Sequence, residues 1–189
     1  SLSYAYDSLY GAYLKSHYPL EYYTVALNFY QGDFERTNNL TNELSYFNLK
    51  ISNPKFRCSK GDYACDKSTN TIYKGISSIK GLGKSVGEQL YTLKDNAYSD
   101  FYDFLKDIES IKVGLSDIDK LIKLDFFSEF GNINKLLKYM EIYKELAGKK
   151  VINKEKEYSI KIDILKMFCA KESDKRLSDF DYEKCLKFL

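Results

Sequence analysis

The stretch ISSIKGLGKSVGEQL, residues 76–90, sets two glycines and several polar residues between two short apolar segments, and its reading decides the fold. Ile76 and Ile79 stand one turn apart on a predicted first helix, while Val86 and Leu90, with Leu93 beyond, mark one face of a second. Leu82, between the glycines, is placed to fill the space under the turn. Gly87 occupies the position where the two helices would have to approach closely. Gly81 and Gly83 can take backbone angles closed to other residues and carry no side chain over the loop, so the turn exposes backbone.

Exposed backbone at a helix start has a chemistry of its own. The first amides of a helix lack intrahelical partners and the helix dipole favours an anion there. Lys80 and Lys84 flank the turn, Ser85 adds a hydroxyl, Lys74 and Lys94 lie nearby, and Glu88 is the one acid between positions 74 and 94. Lys80, Gly81, Leu82, Gly83, Lys84 and Ser85 therefore read as a phosphate seat in the helix-hairpin-helix pattern. The usual ligand of that pattern is the sugar-phosphate backbone of DNA, contacted without reading base identity. A bare helix C-cap followed by a new helix would explain the glycines, but not the apolar spacing and the lysines together. A nucleotide-binding G-x-G-x-x-G fits less well, because no hydrophobic strand precedes the turn and the Walker lysine spacing is absent.

Composition sets the frame. A chain of 189 residues with 44% apolar residues can bury one good core or two small ones without a covalent staple. Twenty-nine Lys and Arg against 27 Asp and Glu leave a net charge of +2, so affinity for a polyanion must come from local placement of charge. Eighteen Tyr and no Trp, with many Lys, Asn and Ile, fit the coding bias of an AT-rich genome, so tyrosine alone argues little for base stacking. The longest uncharged run, Tyr22 to Gly32, is too short to span a bilayer, and a cytoplasmic protein without membrane contact is expected. Cys58, Cys65, Cys169 and Cys185 lack the short spacing of zinc knuckles and read as reduced structural thiols. His17 is the only histidine, so no histidine pair for a metal or relay is available, and it reads as a helix-end residue before Pro19. The chain has no initiator Met and enters at once into helical spacing at Leu2, Tyr6, Leu9, Tyr13 and Leu14, which reads as a piece excised from something longer.

A mainly α fold is expected, a bundle-like helical piece with one or two helix-hairpin-helix motifs and a small β-hairpin or short antiparallel sheet. Residues 4–17 predict one helix, Pro19 opens the next, and a third lies around Thr37 to Phe47. Leu49 and Ile51 alternate with polar residues as a short strand, and TIYKG, after a turn-rich stretch, predicts a second that could pair with it. Ser99, Ser116 and Ser178 each precede an acidic, helix-like run and are expected as N-caps. Residues 148–157, GKKVINKEKE, read as a linker.

Beyond the hairpin, the order of segments resembles the bacterial replicative DNA polymerase III α subunit. In SYAYDSLYGAYLKSHYPLEYY, Ala5 and Tyr6, Ala12 to Lys15, Tyr18, Pro19 and Glu21 match the end of that family's fingers region. Pro54, Ser59, Tyr63, Gly75, Ile79, Lys80, Gly81 and Gly83 match its segment ending in IKG-(V/I/L)-G, and YSDFYDFLKDIE and SDIDKLIKLDFFSEFG resemble the family's next segments downstream. The resemblance covers roughly residues 2–140; Asp7, Leu9 and Lys123-Leu124-Asp125 depart from it, as in a divergent member.

The resemblance implies a division into 1–45 (end of the fingers), 46–75 (short strands and turns) and 76–146 (the helix-hairpin-helix region), while residues 147–189 read from their own pattern as linker and C-terminal helices. It implies double-stranded DNA, a primer-template, and other domains of a parent polymerase as partners. Leu124 to Asn132 would be a degenerate second hairpin, with Gly131 and Asn132 at its turn. The family's Mg²⁺-binding palm carboxylates lie upstream of the matched segment, so no catalytic and no metal-binding residue is assigned here. A monovalent cation on the hairpin carbonyls is compatible with the pattern. Asp100 and Asp103, or Asp117 and Asp119, mimic a carboxylate pair but read as helix-start electrostatics. Two other functions compete: a helical protein-interaction module in which the glycine turn only packs, and part of a helix-hairpin-helix repair enzyme, for which nothing before residue 76 supplies the other half.

Overall fold

The computed structural model describes residues 2–189; Ser1, which opens the expected 1–45 segment, lies outside the described residues. Two compact units form, one of residues up to Asn96 with 111–113, the other of 97–110 with 114–189. The span 76–146 is thereby shared between them.

In the first unit, α1 (Leu2–His17) and α2 (Pro19–Phe29) make the expected corner. Pro19 lies in the first turn of α2, where a missing N–H goes unneeded. His17 ends α1, its Nδ1 3.0 Å from the Tyr13 carbonyl oxygen. α3 (Phe34–Glu43) starts earlier than Thr37 because the Asp33 carboxylate accepts the Arg36 N–H at 3.1 Å, and it runs into a 3₁₀ turn at Leu44–Phe47. Lys15 Nζ and Tyr23 OH both donate to Glu43 Oε2 at 2.6 Å, so one carboxylate ties α1, α2 and α3 together.

The sheet of this unit comprises β1 (Lys50–Ser52), β2 (Ala64–Asp66) and β3 (Thr71–Tyr73), in the order β1-β3-β2. β2 and β3 form the antiparallel hairpin, its turn held by the Asp66 carboxylate, which accepts from Ser68 and Thr69. β1 pairs with β3 in parallel, Ile51 opposite Ile72, so the sheet is not antiparallel throughout. With β2 inserted between them in sequence, the chain returns in the direction of β1, which is the crossover that parallel pairing needs. Leu20, Tyr23 and Leu27 of α2 bury against Leu44, Leu49, Tyr63 and Ile72. Asn28 locks the packing by donating to the Tyr63 carbonyl at 3.0 Å and accepting the Tyr63 N–H at 2.8 Å. A 3₁₀ turn, Ile76–Ser78, and α4 (Lys84–Tyr91) follow.

The second unit holds α5 (Phe101–Ile108), α6 (Leu115–Lys123) and α7 (Ile133–Leu146). Phe101, Phe104, Phe126 and Phe127 are buried together, with ring centroids 4.9–5.8 Å apart in offset and edge-to-face geometry. None of the three expected serine caps is used. Asp100 caps α5, accepting the Asp103 N–H at 2.8 Å; Gly114 opens α6; Asp181 caps α9 (Tyr182–Phe188). In the first and last cases an aspartate nearer the helix supplies the acceptor a serine would, and aspartate caps equally well.

Residues 147–189 are corrected more deeply. In place of a linker and helices alone, β4 (Val151–Asn153), α8 (Ile162–Lys166), β5 (Cys169–Glu172) and β6 (Arg176–Phe180) precede α9, and the strands form an antiparallel sheet in the order β4-β6-β5. Ser178, expected as a cap, pairs with Val151 inside this sheet. The strand hid because Leu177 and Phe180, both buried, are three residues apart, a helical spacing; Asp179 between them takes φ +55° and breaks the two-residue alternation.

Candidate nucleic-acid interface

The first limb of the hairpin is shorter than expected. Ile79 lies past the 3₁₀ turn, its N–H donating to the Ile76 carbonyl at 3.0 Å. Two serines draw this limb out of a helix: Ser78 Oγ donates to the Gly75 carbonyl at 2.6 Å and Ser77 Oγ to that of Gly61 at 2.7 Å. The Ile76 and Ser77 N–H groups donate across to the Lys60 and Gly61 carbonyls at 3.0 and 2.9 Å, so the limb is strapped to the loop before β2.

The turn itself follows the spacing at Gly81 and Leu82, but Gly83, expected to need angles closed to other residues, takes φ −90° and ψ 158°, ordinary extended backbone. Gly81 takes φ +82°, a left-handed conformation that suits glycine. Leu82 is buried and its N–H donates to the Ile79 carbonyl at 3.1 Å, so only its backbone can meet a ligand. Lys80, Gly81, Gly83, Lys84 and Ser85 are exposed. α4 starts at Gly83 with no side-chain cap and no acid in its first turn, while Val86, Leu90 and Leu93 bury beneath it.

Gly87 has a different partner from the one expected. A Cβ there would lie 2.7 Å from Gly61 Cα and N and from the Lys60 carbonyl carbon. The close approach is thus between α4 and the loop before β2, not between the two limbs. Gly75 packs on the same loop, where a Cβ would lie 2.4–2.6 Å from Asp62 and Gly61 backbone atoms, and Glu88 Oε1 accepts the Gly61 N–H at 3.2 Å. That loop delivers a residue which sequence reading missed. Asp62 Oδ2 pairs with Lys84 Nζ, and the carboxylate raises the pKa of the lysine above its ordinary value. A window of positions 74–94 could not find Asp62, because its proximity comes from tertiary packing.

The second candidate turn is built otherwise. α6 and α7 are joined through residues 124–132, Gly131 takes φ +150°, and Asn132 Oδ1 accepts the Lys135 N–H at 2.9 Å. The side chain of Asn132 therefore fills the place at the helix start that an anion would take. The acidic pairs are helix-start groups: Asp103 lies 3.4 and 3.3 Å from Lys106 and Lys187, Asp117 3.0 Å from Lys120, and Asp119 pairs with Lys144. Among the described residues no group of three or more His, Cys, Asp or Glu stands together to hold a metal ion. The four cysteines are free thiols, and burial pushes Cys185 up to about 11. Among the described residues no helix is long and apolar enough to cross a membrane.

A buried leucine between two glycines, followed by an uncapped helix start, is the construction of a helix-hairpin-helix motif, and residues 48–136 match the family model of that motif. The chain is also similar to one segment of the DNA polymerase III subunit alpha. It is 31% identical over 137 residues to that subunit of Ureaplasma parvum serovar 3, covering 72% of this chain and 14% of the relative. It is 27% identical over 140 residues to that of Campylobacter jejuni (72% and 12%), and 30% identical over 149 residues to that of Buchnera aphidicola subsp. Schizaphis graminum (75% and 12%). The resemblance drawn from AYLKSHYP and IKGLG stands on these matches. The chain spans about one-seventh or less of the length of these relatives.

Proposed function

We propose that this chain grips the sugar-phosphate backbone of double-stranded DNA, without reading base sequence, as a duplex-holding part of a DNA polymerase III α subunit. One observation carries the proposal. The start of α4 is exposed, uncapped and free of first-turn acids, and it stands between Lys80 and Lys84 beneath a turn whose side chain points inward. Amides, dipole and ammonium groups there all favour the same anion. α7, closed by Asn132, makes the weaker seat. Nucleotidyl transfer is left to residues elsewhere in such a subunit, and this chain contributes grip. A monovalent cation at the hairpin would use backbone carbonyls such as that of Ile79, an acceptor with two lone pairs.

A second surface supports the polymerase context. Leu14, Tyr18, Tyr22, Val25 and Phe29 line an apolar groove of about 380 Å³ along α1 and α2. We assign it to contact with other domains of the same subunit, at the end of the fingers.

The test is fluorescence anisotropy of a labelled primer-template duplex at several salt concentrations, comparing wild type with Gly83→Val. Gly83 has φ −90° and ψ 158°, which valine adopts readily, and a Cβ there would have nothing closer than Ser85 Oγ at 3.9 Å. The variant keeps its fold while covering the amides. Micromolar to submillimolar, sequence-indifferent binding, weakened about tenfold in the variant, is expected for loss of a charge-assisted contact. Absent binding at low salt, or equal binding by the folded variant, would make the turn a packing device.

A further inference from the structure

We infer that Asp62 sets how tightly the hairpin holds a phosphate, by occupying the Lys84 ammonium in the free protein as an internal stand-in for a phosphate oxygen. The inference rests on the backbone-binding reading above and adds a residue that neither the motif nor the resemblance points to.

The carboxylate is delivered by a fixed piece of backbone. The loop carrying it is strapped to the first limb by the Ile76 and Ser77 N–H groups and to α4 through Glu88. Gly61, Gly75 and Gly87 bring the three backbones within the distance where no Cβ fits. Asp62 Oδ1 stands 3.4 Å from Ser77 Oγ, and Oδ2 pairs with Lys84 Nζ. A side chain held this way loses little further freedom on pairing, so the contact forms readily even at the surface.

The pair is also open to exchange. The Lys84 and Asp62 side chains are 60% and 36% exposed, and ion pairs this exposed are weak. A phosphate at the start of α4 competes for the same ammonium with the help of the amides and the dipole, which the carboxylate does not have. The charge around the turn makes the competition count. In the free protein Lys84 already has the Asp62 carboxylate against it, and Glu88, which accepts the Gly61 N–H, adds a second acid on α4, so the lysine charge is answered before any phosphate arrives. A grip so balanced is weak and quickly released, as suits a duplex that must slide past it.

The same anisotropy titration tests this on the full chain, with Asp62→Asn, Lys84→Met, the double variant and Gly83→Val beside wild type. Asp62→Asn keeps the side-chain shape, and the loop is held by backbone bonds, so the fold is kept; thermal melts check that. Asp62→Asn is expected to bind on the order of fivefold tighter at ~0.1 M salt, with much the same log-log salt slope, because the same lysines meet phosphate in both proteins. In the Lys84→Met background the same change should gain less than about twofold, because its effect passes through the lysine. If Asp62→Asn binds no tighter while Gly83→Val still weakens binding, the inference falls and the backbone-binding reading survives. An equal gain with and without Lys84 would also overturn it, showing plain repulsion of the duplex by Asp62. Absent binding by wild type, or indifference to Gly83→Val, would remove the underlying reading and the inference with it.

Discussion

At the scale of single residues, the glycines divide into those that face solvent and those that face backbone. A methyl at Gly87 would strike Gly61 and Lys60 backbone atoms at 2.7 Å, and neither can turn aside as a side chain could. Gly87→Ala is expected to destabilise the first unit by about 1–3 kcal/mol, the range for overpacking a tight interior. Gly83→Ala, with open space around it and φ −90°, should stay within about 0.5 kcal/mol of wild type. Chemical denaturation of both variants checks the contrast, and equal losses would refute the packing described for α4. A second prediction concerns Glu43. Its pKa is lowered, chiefly by the hydrogen bond from Lys15 and then by that from Tyr23. A carboxyl depressed on folding adds stability above its unfolded pKa and loses it as pH falls through the lower, folded value. Melting temperature should therefore fall more steeply below about pH 4.5 in wild type than in Glu43→Gln. Tyr23 acts at the other end: burial and then Glu43 raise its pKa to about 12, so its share is intact below about pH 10 and is lost above it. Parallel acid limbs in the two proteins would show that the carboxylate is not a fastener. The left-handed turn at Gly81 and the buried Leu82 were legible in the sequence because both are local features, whereas the ordinary angles of Gly83 were not. Asp62 and Glu43 were not, since each acts on residues brought near only by packing.

At the scale of elements, helix identity followed from apolar spacing, whereas helix starts followed from competition between neighbouring caps. Pro19 and the Val86–Leu90–Leu93 face could be read directly, because a proline and a single apolar stripe each leave one solution. The starts of α5 and α9 could not, because serine and aspartate stand side by side or nearly so and either can accept the amide. The C-terminal sheet escaped for a related reason: its strands are three to five residues long, and pairing across the sheet, not local pattern, fixes them. The α1 helix is the opposite case, plain in the sequence yet barely packed. Tyr4, Tyr6, Leu9 and Tyr10 are all at least 60% exposed, and its inward contacts begin near Leu14 and Lys15. A helix without a buried face depends on its own weak propagation. In hydrogen exchange, amides of residues 5–12 are expected to exchange well before those of 86–91, where Val86 and Leu90 are buried. Equal protection of the two segments would mean that the aromatic residues of α1 are covered in solution, as a second copy of the chain could do.

At the scale of the whole molecule, the charge balance limits what the hairpin can achieve. With 29 basic and 27 acidic side chains, the chain has no broad positive field to hold a polyanion, and many lysines are already paired with carboxylates, among them Lys106, Lys120, Lys138 and Lys144. Binding that depends on one uncapped helix start and its two flanking lysines neutralises about two phosphates, which gives a log-log salt slope near −2. Raising salt fourfold, from ~50 to ~200 mM, should then weaken the complex by roughly fifteenfold, whatever the base sequence of the duplex. Duplexes of unrelated sequence, titrated side by side at each salt concentration, test both halves of that statement. A slope steeper than about −4 would mean that a second face of the protein reaches phosphate, and the Asn132-capped turn would have to be reconsidered as that face. A shallow slope with clear preference among sequences would instead place the contacts on base edges, which an inward-pointing Leu82 and a bare glycine turn have no side chains to make.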